Sequence, residues 1–378
     1  MSALRIPSIL HYLDHSNKLV KKVVRIEHNG STPLLFVGSK IVLDLQSSVM
    51  LVSFESIFLS HDQMRLAFKI VYDKEYIFVA MNKVEAAFWY KAIAPLTHPY
   101  GVFGYPLEIA VKKSGWRVPL VVYRAVEFLR TTKGYEQEGI FRMNGSVAEL
   151  KVLREMADQD KDFIINPKQD SIMIGHFLKY YLNQMVEPVI PYEKATQFSQ
   201  LTSNENPKAF IMSLSTETQD TLCYLLKFLR EVAQCSQKNK MTFQNLSLCF
   251  ALAICREETN DKNEQMLFPS HVINSLSLLL NSFNTVFDEI IERNERFGNE
   301  PPKYPAFQPM ALFPLNMVLS TNRTPITKQR LSTMVRPPHD PRKDKLRPQS
   351  TFSKFVKRIS MSFTDYHSKS LAGSPETK

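Results

Sequence analysis

VPLVVYRAVEFLRTT, residues 118–132, places Val122, Ala125, Val126 and Leu129 three and four positions apart, on one side of a helix. Pro119 suits the helix N-terminus, where the N–H that proline lacks would have no partner anyway. The same period returns in DTLCYLLKFLREVAQCSQ (220–237), QNLSLCFALAIC (244–255) and VINSLSLLLNSFNTVFDEIIERN (272–294). Strand signals are nearly absent between Tyr100 and Glu295, so this stretch is expected to be an all-α domain.

Upstream the pattern is different. Between Leu19 and Ala94 short β-branched and aromatic runs succeed one another: VVRI, PLLFV, KIVLDL, VMLVSF, SIFL, LAFKIVY and EYIFVAM. Turn residues such as Asn29-Gly30, Asp62 and Asp73-Lys74 separate them. From Asn82 the spacing becomes helical, through Val84, Ala87, Phe88, Lys91 and Ile93, with Trp89 expected on the apolar side. Many short strands closed by one helix predict a small β-barrel or sandwich plugged by that helix. Downstream of Phe297, prolines recur among Ser, Thr, Lys and Arg without a fixed apolar period, as expected of a disordered tail.

The net charge of +10 would suggest a nucleic-acid partner if it were spread over the folded parts. It is not: residues 301–378 hold 14 Lys and Arg against 4 Asp and Glu, and the remainder of the chain is neutral overall. A basic appendage fits better than a DNA-binding core. The four cysteines (Cys223, Cys235, Cys249 and Cys255) form no CxxC pair and sit in apolar helical patterns, as reduced core thiols do. No HExxH spacing, signal peptide or long apolar run is present, so the expectation is a cytoplasmic protein without a metal site.

Residues 78–93, FVAMNKVEAAFWYKAI, run as a last strand, a turn and a helix bearing Trp89, and the first hundred residues resemble a pleckstrin-homology domain. That resemblance implies a phosphoinositide site on a basic loop between the first two strands. Lys18, Lys21, Lys22 and Arg25 are the nearest candidates, against the plainer reading of a solvated strand face. In the tail, TFSKFVKRISMSF (351–363) sets Phe352, Phe355, Ile359 and Phe363 along one helical side, with Lys354, Lys357 and Arg358 around the other. It is a candidate anchor to anionic membrane lipids, or a basic tail with chance spacing.

Five segments of the helical region, in order, resemble RhoGAP domains: FGYPL (103–107), VPLVVYRAVEFL (118–129), EGIFRMNGS (138–146), LKYYLNQMVEPVIP (178–191) and NKMTFQNLSLCFA (239–251). The resemblance implies a multidomain chain: an N-terminal extension (1–17), a pleckstrin-homology-like domain (18–97), a RhoGAP domain (98–295) and a basic tail (296–378). It implies a Rho-family small GTPase of Rho, Rac or Cdc42 type as partner, switched off by stimulated GTP hydrolysis. The chain would need no cofactor, since the GTP and Mg²⁺ belong to that partner. Arg142 corresponds to the finger inserted into the GTPase, with Gly139 and Gly145 flanking it and Ile140 and Phe141 as buried anchors. Lys179 and Asn245 correspond to interface positions; their plainer readings are a snorkelling lysine and a helix-start amide.

Three positions depart from the family pattern. Asn183 stands where most members have Arg, Val186 where the usual Leu-Pro-Glu-Pro has its first Pro, and Phe250-Ala251-Leu252 where Phe-Gly-Pro is usual. These departures keep open the alternative of a catalytically silent binding module or membrane adaptor.

Overall fold

The computed structural model describes residues 8–159, 165–202, 206–257 and 262–296. Strands β1 (Ser8–Leu13), β2 (Leu19–Asn29), β3 (Thr32–Val37), β4 (Ile41–Asp44), β5 (Val49–Leu51), β6 (Ala67–Val71), β7 (Glu75–Val79) and β8 (His98–Pro99) make one sheet. Their order is β4-β3-β2-β1-β7-β6-β5-β8. Period-two alternation sends Leu35 and Val37 of β3 inward with Leu10, Val24, Leu43, Ile70 and Phe78. The sheet wraps these side chains around α2 (Lys83–Ile93), whose Ala86, Ala87, Trp89, Tyr90 and Ile93 fill the same core. The Tyr90 hydroxyl donates to the Ala67 carbonyl at 2.7 Å, satisfying its one polar atom inside that core.

The structure corrects several details of the sequence reading. β1 lies inside the segment 1–17 set apart as an extension and pairs with both β2 and β7. Its six residues were too few, and too close to the terminus, to give a pattern of their own. SIFL is a turn: the Ser56 hydroxyl accepts from the Phe58 N–H, and Ser60 with Gln63 caps the short α1 (His61–Met64), leaving Ile57 92% exposed. Val84 and Phe88 of α2 face outward, because the core takes the neighbouring side defined by Trp89 and Tyr90.

The rest of the described chain is helical: α3 (Leu107–Ser114), α4 (Leu120–Thr131), α5 (Val147–Gln159), α6 (Ser171–Gln184), α7 (Tyr192–Ser199), α8 (Pro207–Met212), α9 (Thr216–Gln234), α10 (Ser236–Asn239), α11 (Phe243–Ile254), α12 (Lys262–Asn281), α13 (Phe283–Val286) and α14 (Asp288–Glu295). The 272–294 pattern thus breaks into three helices. At the first break the Asn281 amide and the Ser282 hydroxyl donate to carbonyls four residues back, competing with the main-chain ladder. Arg130 of α4 grips Glu231 of α9 through two bonds of 2.8 Å, the fork geometry that a guanidinium offers a carboxylate. All four cysteines are free thiols. Among the described residues no helix is long and apolar enough to cross a membrane, and no cluster of His, Cys, Asp or Glu is arranged to hold a metal ion.

The sheet and the helices share a core. Tyr105 and Ile109 at the start of the helical part, and Val186 after α6, belong to the same buried cluster as Trp89 and Phe78. The connection between them is itself a strand, β8, parallel to β5. The Tyr105 hydroxyl lies 2.8 Å from the Met50 carbonyl of β5. At this seam Lys113 donates to the Pro99 carbonyl at 2.5 Å and sits over the Tyr105 ring.

Burial pulls the Lys113 pKa down to about 7, with Asp158 opposing the fall. Between pH 7 and the ordinary lysine range the unfolded chain holds a proton that the folded chain has released. Stability therefore climbs with pH across that window, by at most about 1.4 kcal/mol per pH unit, and this contribution is flat below it. Denaturant unfolding from pH 6 to 10 should show the rise in the wild type and a smaller one in Lys113→Met. Parallel curves for the two would remove Lys113 from this role.

Candidate functional site

The loop between α4 and α5 is pinned from below and open above. Ile140 and Phe141 are completely buried, whereas Arg142 and Met143 are exposed. Phe141 packs edge-on against Phe250 of α11 (4.9 Å between ring centres) and Phe228 of α9 (6.2 Å). It does so with φ at +65°, a left-handed backbone that a bulky residue adopts only when its surroundings compel it. Burial of the ring supplies that compulsion and turns the next residue, Arg142, outward. Gly175 of α6 permits the contact: a Cβ there would stand 3.0 Å from Ile140 and 3.2 Å from Phe141.

Both ends of the loop are tied by hydrogen bonds. At the start, the Gly139 N–H donates to the Asn239 carbonyl at 2.9 Å. Asn239 is fully buried; its amide donates to Val232 (2.7 Å) and Tyr135 (2.9 Å), and its Oδ1 accepts from the Met241 N–H (2.8 Å). At the far end, the Gly145 N–H donates to Nδ1 of His176 on α6 at 3.1 Å. Burial, and then the Lys179 charge, lower the His176 pKa, which keeps that nitrogen free to accept.

Lys179 lies one turn beyond His176 and is 4% exposed, so it is no snorkelling surface lysine. Burial lowers its pKa. Asn245 sits in the first turn of α11. Its N–H donates to the Thr242 hydroxyl that caps the helix, and its side-chain amide donates to the Lys240 carbonyl at 2.9 Å. The helix-start description therefore holds for Asn245, and its Oδ1 faces away from that bond. One turn on, burial raises the Cys249 pKa while both Lys179 and Arg142 pull it down. That thiol lies within electrostatic reach of both cations, which brings the finger candidate, α6 and α11 to one place.

The lipid candidates fare differently. Lys18, Lys21 and Lys22 are exposed on the β1–β2 hairpin. Arg25 is bonded to Glu27 at 2.6 Å and stacked over Phe36. Lys354, Lys357 and Arg358 lie outside the described residues.

The family model for the RhoGAP domain matches residues 119–259, which contain Arg142, Lys179, Asn239 and Asn245. Residues 119–259 form a RhoGAP domain. The chain is 29% identical over 235 residues to human Rho GTPase-activating protein 24, covering 58% of this chain and 31% of that protein. It is 26% identical over 197 residues to the Dictyostelium discoideum Rho GTPase-activating protein gacY, covering 50% and 27%. The crystal structure of human Rho GTPase activating protein 15 superimposes with a TM-score of 0.46 at 22% identity, over 50% of this chain and 92% of that one. The chain spans about three tenths of the length of the curated relatives named here.

Two departures within the RhoGAP domain have structural correlates. The Val186 N–H donates to the Gly104 carbonyl at 3.2 Å, a bond that the family's proline could not make. Asn183 is exposed on α6, one turn beyond Lys179, with no packing role that would require a longer side chain. Asn239 and His176 are the site residues that the motif left unassigned. Asn239 opens the NKMTFQNL segment, but nothing local marks it as buried, and its partners lie up to about a hundred residues away in sequence.

Proposed function

We propose that this chain accelerates GTP hydrolysis by a Rho-family small GTPase, with Arg142 entering the partner's nucleotide site. The observation that carries the proposal is an exposed arginine on a loop whose adjacent residues, Ile140 and Phe141, are completely buried within a RhoGAP domain. During hydrolysis, negative charge grows around the β–γ bridging oxygen. A guanidinium can donate two parallel bonds there and keeps its charge at any physiological pH. Lys179 supports the loop from α6, and Asn245 offers a paired donor and acceptor to the GTPase beside it. The GTP and Mg²⁺ are brought by the partner.

Single-turnover hydrolysis by Rho, Rac and Cdc42 proteins with catalytic amounts of the chain tests this. Stimulation of at least one of them is expected. Tight binding of the GTP form without stimulation would favour a silent binding module, the reading that the neutral Asn183 keeps in play. The exposed Lys18, Lys21 and Lys22 extend the proposal to an anionic membrane surface. Their joint replacement by Ser should lower co-sedimentation with phosphatidylserine vesicles.

A further inference from the structure

Helix α6 carries Lys179, and its exit is held from two sides. On one side Arg256, just after α11, donates to the Met185 carbonyl at 2.9 Å and to the Leu252 carbonyl at 3.1 Å. This bridges the end of α6 to the end of the helix bearing Asn245. On the other side the exit enters the β-rich domain. Val186 lies in the core built around Trp89 and Phe78. The next residue, Glu187, is 8% exposed and has its carboxylate 2.5 Å from the ammonium of Lys91 on α2. Glu108 of α3 lies 3.4 Å from the same nitrogen. Another polar contact spans the seam, where Arg154 of α5 donates to the Ser53 hydroxyl at 2.5 Å.

We propose that Lys91 is a positioning residue for the RhoGAP site: through Glu187 it fixes the C-terminal end of α6 and so the setting of Lys179 against the finger loop. The inference rests on the role given above to Lys179. Burial pushes the Glu187 carboxyl up, and the Lys91 ammonium opposes that. Burial also works against the ammonium itself, but Glu187 and then Glu108 outweigh it and hold the Lys91 pKa up. Removing the cation alone leaves a buried carboxylate without its counter-charge, which favours any movement of the exit toward water. Trp89 and Tyr90 lock α2 into the sheet core, so such movement falls to the α6 exit, whose other ties include Val186 in the same core and the Arg256 bond to Met185.

The test compares full-length Lys91→Met, Lys91→Arg and the double variant Lys91→Met/Glu187→Gln by deuterium exchange and stimulated GTP hydrolysis. In Lys91→Met the last turns of α6 should exchange at least about tenfold faster while α9 keeps its protection. The kcat of stimulated hydrolysis should fall about fivefold with KM for the GTPase moving less, since the site still forms but is misaligned. Lys91→Arg should restore both, and the double variant should recover most of the α6 protection by removing the stranded charge. Wild-type exchange in α6 of Lys91→Met would overturn the proposal. Equal acceleration in α6 and α9 would also overturn it, by showing general destabilisation only. A wild-type chain that stimulates no GTPase would sink the proposed function, and the exchange data would still decide whether Lys91 holds α6.

Discussion

Arg142→Ala should leave binding to the GTP-loaded partner largely intact and lower stimulated hydrolysis by at least about a hundredfold. Interactions made only as charge develops accelerate the reaction without tightening ground-state binding. An arginine supplied in trans to a GTPase is worth about 10³–10⁵ in rate. The variant should fold normally, because the Arg142 side chain is exposed and only its main-chain N–H is used internally, donating to Gly139 at 2.9 Å. Arg142→Lys should fail nearly as badly, since an ammonium cannot reproduce the two-pronged contact. Single-turnover assays at saturating activator check both. Wild-type stimulation by Arg142→Ala would end the finger assignment.

Asn239→Ala should be the most damaging single change among the polar residues of the site. It strands the buried N–H of Met241 and takes one partner each from the Val232 carbonyl, which keeps the Cys235 N–H, and the half-buried Tyr135 carbonyl. A buried polar group left without a partner costs about 1–3 kcal/mol, so a loss of about 1–3 kcal/mol is expected. Asn239→Asp should be worse, because it points a carboxylate at two carbonyl oxygens. Activity should fall along with stability, since the same residue's carbonyl holds the Gly139 end of the finger loop. Denaturant unfolding measures the effect, and a change below about 1 kcal/mol for Asn239→Ala would show that the three bonds are replaced.

The helical periods and the anchored loop around Arg142 were legible in the sequence because each is local. Val122, Val126 and Leu129 declare a helix face within one window, and EGIFRMNGS carries its glycines and its two anchors side by side. What stayed hidden depends on distant partners. The hundred-residue reach from Asn239 to Tyr135 and the pairing of β1 with β7 have no local signature. Val186 shows the same limit from the other direction. Against the motif alone it looked like a loss, and only its bond to Gly104 and its place in the β-rich core show what the N–H and the side chain do there.

The strand β8 has a consequence for how the molecule meets a larger structure. A connector that is hydrogen-bonded into a sheet, with Tyr100 donating to Met50 at 2.8 Å just beyond it, cannot serve as a hinge. Any surface that captures the sheet therefore also dictates the height and bearing at which the arginine is offered. On the role proposed for Arg142, a GTPase approaching from another angle would find the guanidinium out of reach, however high the local concentration. Geometry of delivery then becomes a filter on partners, acting before any side chain at the contact is compared.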